Sequence, residues 1–119
     1  MKLGDIHWVE SVSRGGHEQS GRRSAIVFQN EATSSLLPTL LVIPRTTQQS
    51  ALRFPGTVLV EAAIENGLNR ASVALVFQLT AIDRRLLGAK IGAVGDDILT
   101  VLRAALDEIS REGTIGADE

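Results

Sequence analysis

The stretch HEQSGRRSAIVFQN, residues 17–30, changes from a polar, charged half to an apolar half, and this change is the starting point for predicting the fold. Its apolar second half, residues 24–29, predicts a β-strand. Its first half carries a histidine, a glutamate, a glutamine and the adjacent arginines Arg22 and Arg23. A buried strand needs no such chemistry directly before it. The stretch therefore predicts a strand that directly follows a polar, cationic loop.

Further short strands surround this stretch, and a single helix follows them. The apolar runs are short and polar turns separate them, which is typical of a mainly β domain. Strands are predicted at residues 6–9, 24–29, 39–43, 57–60, 71–79 and 90–94, with Pro44 ending the third. A small sheet has few ways to hide its edges, so the pattern favours a small, strongly bent β-barrel with a C-terminal helix.

The C-terminal helix is predicted from an apolar face with three- and four-residue spacing. That face comprises Ile98, Leu102, Ala105, Leu106 and Ile109. Asp96 or Asp97 can cap its start, Asp107 and Arg111 can pair one turn apart, and Gly113 is expected to stop it.

Composition limits the class of protein. The chain has 119 residues, 44% of them hydrophobic, and no cysteine, which fits one domain in a reducing cytoplasm. No apolar run approaches the roughly 18 residues that span a membrane, and no apolar signal segment is expected at the start. Net charge is −2, yet residues 1–90 carry ten basic and seven acidic side chains. A local cationic cleft therefore remains compatible with the overall acidity.

Strand alternation separates the two adjacent arginines. Successive side chains of a strand point to opposite faces, so Arg23 is expected on the face of Ala25 and Val27, and Arg22 on the other. An arginine fixed at the mouth of a strand can clamp a phosphate through its planar fork. The alternative is a pair of solvated loop arginines without a ligand.

A second polar segment, RTTQQS at residues 45–50, follows the buried third strand. Its hydroxyls and amides can donate to phosphate or read base edges, although an ordinary polar turn has the same composition. Neither His7 nor His17 has partners at metal-ligand spacing, so no metal and no cofactor are expected. His17 lies beside Glu18 and can carry a proton near neutral pH, whereas His7 is expected to be structural.

Four separated segments resemble the MazF/PemK (Kid-like) family of toxin–antitoxin endoribonucleases. GDIHWVE (residues 4–10) resembles the first strand of the family, and GGHEQSGRRSAIVFQN (15–30) its first loop and second strand. LVIPRTTQ (41–48) resembles the third strand with its loop, and FQLTAIDRRLLGAKIG (77–92) a late strand and turn. The segments occur in the family's order within residues 4–110.

The resemblance implies a toxin domain at residues 1–112, with an SH3-like barrel and a C-terminal helix, and a flexible tail at 113–119. It implies a cytoplasmic homodimer that is controlled by a cognate antitoxin protein. The expected activity is metal-independent, sequence-specific cleavage of single-stranded RNA, initiated by the ribose 2′-hydroxyl.

The resemblance also assigns roles to particular residues. The catalytic arginine of the family falls on Arg23 and the catalytic threonine on Thr46, while His17 and Glu18 are candidates for proton transfer. The RNA-binding surface is expected to comprise Gln19, Arg22, Arg14, Arg45, Thr47, Gln48 and Gln78.

Two departures from the family pattern affect the expected mechanism. Ser24 stands where a proline usually follows the arginine, and Phe77 stands where many members carry an acidic residue. Leu75 replaces an arginine to which one branch assigns proton transfer, so that version of the mechanism does not carry over. Two alternatives stay open: a gyrase-targeting toxin on the same barrel, and a non-catalytic SH3-like binding module.

Overall fold

The computed structural model describes residues 1–11 and 21–112. Its strands and α-helices are numbered here in chain order. The strands are β1 (Asp5–Ser11), β2 (Gly21–Val27), β3 (Thr39–Thr46), β4 (Thr57–Val60), β5 (Ser72–Leu75), β6 (Thr80–Asp83) and β7 (Leu87–Ala93). The helices are α1 (Glu31–Ser34) and α2 (Asp96–Ser110). Short 3₁₀ turns occur at Gln49–Arg53, Val76–Gln78 and Arg84–Leu86.

All strand pairings in the described residues are antiparallel, in the order β4-β5-β3-β2-β1-β7, with β6 paired to β3. Strand β3 has two partners on one side: its first half pairs with β6 and its last two residues pair with β5. The path runs from β4 to β7 without a pairing that joins these two strands in the described part of the chain. A mainly antiparallel β fold with a C-terminal helix is thereby confirmed.

The sheet separates two apolar clusters, because β2 and β3 are buried on both faces. The helix-side cluster lies under α2 and comprises Ile6, Ile26, Ile43, Val58, Val60, Leu68, Ala74, Val76, Val94, Leu99, Leu102 and Ala105. The cleft-side cluster lies on the opposite face of β2 and β3 and comprises Ala25, Val27, Leu40 and Val42, with Val9, Ile82 and Leu87 packed against it.

Helix α2 buries most of its predicted apolar face, but its two ends differ from the sequence prediction. Leu102 and Ala105 are buried as expected, whereas Ile109 is 39% exposed because it lies in the last turn. The N-cap is Gly95, and neither aspartate caps the helix through its side chain. The ion pair between Asp107 and Arg111 is present at 3.2 Å. The helix ends at Ser110, and the predicted stop at Gly113 lies outside the described residues.

Two of the strand predictions were wrong in an instructive way. Pro44 does not end β3, because it lies between the pairings to β6 and to β5 and interrupts neither of them. The run at residues 71–79 is not one strand, because β5 ends at Leu75, the turn Val76–Gln78 follows, and the next strand, β6, begins at Thr80. An apolar run does not reveal where a chain changes partner, so periodicity alone could not separate β5 from β6.

The arginine pair lies inside a strand and not before it. Strand β2 begins at Gly21, where the prediction began it at residue 24, because β1 continues far enough to pair with it. The backbone of Arg22 pairs with Glu10, and that of Arg23 pairs with Val9. The ladder therefore fixes the backbone of both arginines.

Candidate nucleic-acid interface

A cleft of about 320 Å³ opens on the cleft side of the sheet, where β2 and β3 approach the turn before β6. We call it the Arg23 cleft. Its apolar lining includes Val9, Ala25, Val42, Pro44, Ile82 and Leu86. Its polar lining includes Glu10, Arg23, Ser24, Gln78 and Thr80. An apolar floor with a few polar groups at its rim is typical of a ligand-binding cleft.

Arg23 lines this cleft together with Ala25, as strand alternation predicted. The Arg23 side chain is exposed, and within residues 1–11 and 21–112 no carboxylate lies within ion-pair distance of it. A guanidinium without an internal partner can bind an external anion without first breaking an ion pair. The position therefore suits a phosphate group.

Thr46 lies at the same end of the sheet as Arg23. Ala25 faces Pro44 across the β2–β3 ladder, and Arg23 and Thr46 each lie two residues further toward the same end. A two-residue step preserves the face of a strand, so both belong to the cleft side. The Thr46 hydroxyl accepts a hydrogen bond from the Gln48 backbone N–H at 3.2 Å, which leaves its own proton available for donation.

Gln78 and Phe77 come from the turn that separates β5 from β6. Gln78 lines the cleft, and Phe77 is 43% exposed beside it. The Phe77 ring packs against Phe54, with 5.8 Å between the ring centroids, and Phe54 is itself 44% exposed. The Arg53 guanidinium lies 4.7 Å from the centroid of the Phe54 ring. This aromatic pair is an exposed apolar surface next to the cleft.

Sequence reasoning missed Phe54, Arg53 and Glu10 as neighbours of the site. An isolated phenylalanine next to a proline is read from sequence as a core residue, and nothing local indicates that Phe54 reaches Phe77 across 23 positions. Glu10 lines the cleft only because β1 continues beyond its predicted end. Contacts of this kind depend on the folded sheet.

The segment at residues 45–48 is divided between two faces of the sheet. Thr46 lies on the cleft side, whereas Arg45 and Thr47 line a separate cavity with Trp8 and Arg70. Burial lowers the pKa of the Arg45 guanidinium, and its Nε atom is buried without a hydrogen-bond partner in the described residues. Gln48 is exposed next to Thr46. Four residues that were predicted to act together therefore face two different sites.

The remaining predicted site residues cannot be assigned to either cavity. Arg14, His17, Glu18 and Gln19 lie outside the described residues. Arg22 is described by its backbone alone, through the pairing with Glu10. Their roles stay predictions.

His7 connects β1 to β7. Its Nδ1 lies 2.8 Å from the Gly88 carbonyl oxygen, so this nitrogen carries the proton and donates. Its Nε2 lies 3.9 Å from the buried carboxylate of Asp5, which also accepts from the Lys2 N–H and pairs with Lys90 at 3.3 Å. Burial raises the pKa of Asp5, but the contacts with Lys2 and Lys90 outweigh it and the net shift is downward. These contacts hold an edge of the sheet, which fits a structural role.

No group of three or more histidine, cysteine, aspartate or glutamate side chains is arranged to hold a metal ion within the ranges that the structure describes. In the same ranges, no helix has the length and apolar character needed to cross a membrane.

The antiparallel sheet, the C-terminal helix and the Arg23 cleft together define a small β protein with a cleft that an exposed arginine lines. Residues 2–110 match the family model for the PemK-like, MazF-like toxin of type II toxin–antitoxin systems. The chain belongs to this family.

Two curated relatives and one solved structure are similar over most of the chain. Endoribonuclease EndoA of Bacillus subtilis is 31% identical over 106 residues, which cover 89% of this chain and 90% of that protein. Endoribonuclease MazF of Staphylococcus saprophyticus is 26% identical over 107 residues, covering 90% and 88%. The crystal structure of MazE–MazF from Deinococcus radiodurans has a TM-score of 0.74 at 23% identity, covering 92% and 94% of the two chains, and indicates the same fold.

Proposed function

We propose that this toxin is a sequence-specific endoribonuclease that cleaves single-stranded RNA without a metal ion. One observation carries the proposal: Arg23 and Thr46 both lie on the cleft side of the sheet, at the same end of the β2–β3 ladder. The two curated relatives are both named endoribonucleases, which supports the same activity here.

RNA supplies its own nucleophile, the ribose 2′-hydroxyl. In the proposed reaction the 2′-oxygen forms a bond to phosphorus while the bond from phosphorus to the 5′-oxygen breaks, leaving a cyclic phosphate and a 5′-hydroxyl. One proton leaves the 2′-hydroxyl and one is delivered to the departing 5′-oxygen. Arg23 stabilises the charge that develops on the non-bridging oxygens, and Thr46 donates a hydrogen bond to one of them.

The proton carriers are proposed from the sequence. His17 and Glu18 stay the candidates, and both lie outside the described residues. In one family branch an arginine and an acidic residue occupy the positions of Leu75 and Phe77. Because both are apolar here, neither the end of β5 nor the turn after it supplies a proton carrier at these positions. The charge stabilisation by Arg23 and Thr46 does not depend on which residue is the base.

The aromatic pair favours a single-stranded substrate. Unpaired bases stack on exposed aromatic rings, whereas the bases of a duplex are already stacked on one another. Phe54 and Phe77 present such rings beside Gln78, whose amide can read a base edge. We infer that a base next to the scissile phosphate contacts Phe77 and Gln78.

The assembly is proposed on the same basis. We infer an SH3-like barrel, a toxin domain at residues 1–112, a homodimer that covers sheet edges, and a cytoplasmic location. A solved relative is a MazE–MazF complex, which supports a cognate antitoxin for this chain. An extended acidic or apolar antitoxin segment that covers the Arg23 cleft would inhibit cleavage directly.

Incubation of the purified protein with a long unstructured RNA in excess chelator tests the activity. We expect cleavage at a short recurrent sequence, with 5′-hydroxyl ends on the fragments. Activity that is lost in chelator and restored by a divalent ion would contradict metal independence. DNA cleavage in the presence of gyrase would support the gyrase-targeting alternative, and the absence of both activities would support a binding module.

A further inference from the structure

A second cavity, of about 480 Å³, lies on the face of β3 opposite Thr46. We call it the Arg45 pocket. It is lined by Trp8, Arg45, Thr47, Leu68, Arg70 and Ile91, together with the turn around Asn69. Among the described residues, its lining contains two arginines and no acidic residue.

Arg45 has no counter-charge among the described residues. Its guanidinium is half-buried, and burial lowers its pKa. Its Nε is buried without a hydrogen-bond partner, and within the described ranges no carboxylate forms an ion pair with it. Partial burial of a cation without a counter-ion is unfavourable, so a half-buried guanidinium with an unpaired Nε is consistent with a group supplied from outside the described residues.

Further donors line the same cavity. The Arg70 guanidinium lies 3.4 Å from the Thr47 hydroxyl oxygen, which holds the second cation at the wall of the pocket. Arg45 and Arg70 together provide planar forks that match the oxygens of a phosphate group. A carboxylate would satisfy one fork, whereas a tetrahedral phosphate can accept from both arginines and from a hydroxyl.

The Arg45 pocket and the Arg23 cleft lie on either side of one strand end. Arg45 and Thr46 are consecutive residues of β3, so their Cα atoms are about 3.8 Å apart and their side chains point to opposite faces. A strand of RNA that passed over this end of the sheet would reach both cavities. The two sites can therefore hold different phosphates of one chain.

We propose that the Arg45 pocket binds a phosphate group, and that its source is a backbone phosphate of the RNA whose scissile phosphate lies at Arg23. The RNA source rests on the proposed function. The phosphate chemistry of the pocket does not, because it is argued from the two arginines and from the lack of a counter-ion among the described residues. A free phosphate is the other source of the same ligand chemistry.

Trp8 provides a readout that is independent of catalysis. It is the only tryptophan of the chain and it lines the pocket, so its fluorescence can report occupancy. The probes are inorganic phosphate and a single-stranded 2′-deoxy oligonucleotide, which lacks the nucleophile and cannot be cut. We expect both to change the emission, and Arg45→Met to weaken both effects about tenfold, as expected for the loss of a charge-assisted contact.

The matched control is Arg111→Met, which removes one positive charge at the end of α2, where the side chain is 69% exposed. We expect it to bind both probes like the wild type. Arg45→Met should melt no lower than the wild type without ligand, because it removes an unpaired half-buried charge. Arg45→Lys retains the positive charge but lacks the planar guanidinium. If Arg45→Met does not fold, the binding of both probes is measured with Arg45→Lys in its place.

Each outcome separates the pocket from the activity. Unchanged Trp8 emission, or equal binding by wild type and Arg45→Met, overturns the pocket even if RNA is cleaved. Arg45-dependent binding of both probes without RNA cleavage retains the phosphate site and contradicts the proposed function. Arg45-dependent binding of inorganic phosphate but not of the oligonucleotide contradicts RNA as the source.

Discussion

The two sides of the sheet present arginines in different environments, and the difference is largest at the end of β3. On the cleft side, Arg23 is exposed beside Gln78 and has no carboxylate partner in the part of the chain that the structure describes. On the helix side, Arg45 is half-buried in a pocket beside Trp8. An exposed arginine retains its hydration until substrate binds, whereas a half-buried one has already lost part of it. The first suits charge stabilisation during a reaction, and the second suits fixed recognition of an anion.

The two sides of the sheet are also expected to differ in how strongly they affect catalysis and folding stability. The helix-side cluster contains α2 and the larger part of the buried apolar residues in the described chain, while the cleft-side cluster ends in an open cleft. Changes under α2 should therefore affect folding, and changes at the cleft should affect turnover. Variants on the two sides of the sheet therefore test this division.

Replacing Arg23 should have the largest effect on catalysis. Arg23→Ala should lose about 3–4 kcal/mol of transition-state stabilisation, or two to three powers of ten in rate, as for the removal of one oxyanion donor. Arg23→Lys should stay poor, because a point charge does not reproduce the fork. The measurement is kcat at saturating RNA, together with an unchanged melting temperature.

Arg22→Ala is the comparison variant for Arg23. From its place in the sequence we expect a peripheral phosphate contact, so the variant should mainly weaken RNA binding, most strongly at low salt. An inactive Arg22→Ala with a nearly normal Arg23→Ala would reverse the assignment of the two arginines.

Replacing Leu102 should have the largest effect on stability. Leu102 is fully buried in the helix-side cluster, and Leu102→Ala should lower the free energy of unfolding by about 3 kcal/mol through lost burial and a cavity. Val101→Ala is the matched control on the same helix, where the side chain is 47% exposed and the change should stay within about 0.5 kcal/mol. Denaturant unfolding measures both.

At a temperature where Leu102→Ala is still folded, its kcat should equal that of the wild type. A large loss of kcat in fully folded Leu102→Ala would contradict the division between the two sides of the sheet.

Replacing Phe77 should have an intermediate effect that falls on binding. Phe77→Ala removes one ring of the aromatic pair, and loss of stacking with one base is worth about 1–2 kcal/mol. We expect KM for RNA to rise about five- to thirtyfold while kcat changes little. Ile64→Ala is the control, because Ile64 is 99% exposed and lines neither cavity. Equal KM values for the two variants would exclude the ring from the substrate site.

The sequence predicted the fold class, the helix and the face on which Arg23 lies, because periodicity and alternation are local properties. It did not predict the division of the run at residues 71–79, since a change of strand partner leaves no local signal. The same limit applies to the pairing of Phe54 with Phe77. The sequence analysis treated residues 45–50 as one polar segment, whereas the alternation of side chains along β3 places Arg45 and Thr46 on opposite faces.

Replacing Asp5 should have the smallest effect, and it should touch neither site. Asp5 is buried at the junction of β1 and β7, away from both cavities, and its contacts with Lys2 and Lys90 lower its pKa below the ordinary value of 3.8 despite its burial. A carboxylate with a depressed folded pKa stabilises the protein above its unfolded pKa, and this contribution is lost as the pH falls below about 4 and through the folded value. Asp5→Asn should therefore be less stable at neutral pH by about 1 kcal/mol, and should lose less stability than the wild type between neutral pH and strong acid.

Asp107→Asn is the control, because that carboxylate pairs with Arg111 on the exposed surface of α2 and should contribute little. Unfolding free energies across this pH range measure the effect, and equal acid dependence in Asp5→Asn and the wild type would mean that another carboxylate dominates. RNA cleavage and Trp8 emission at neutral pH should be unchanged in both variants, because the contacts of Asp5 fasten an edge of the sheet and contribute to neither anion site.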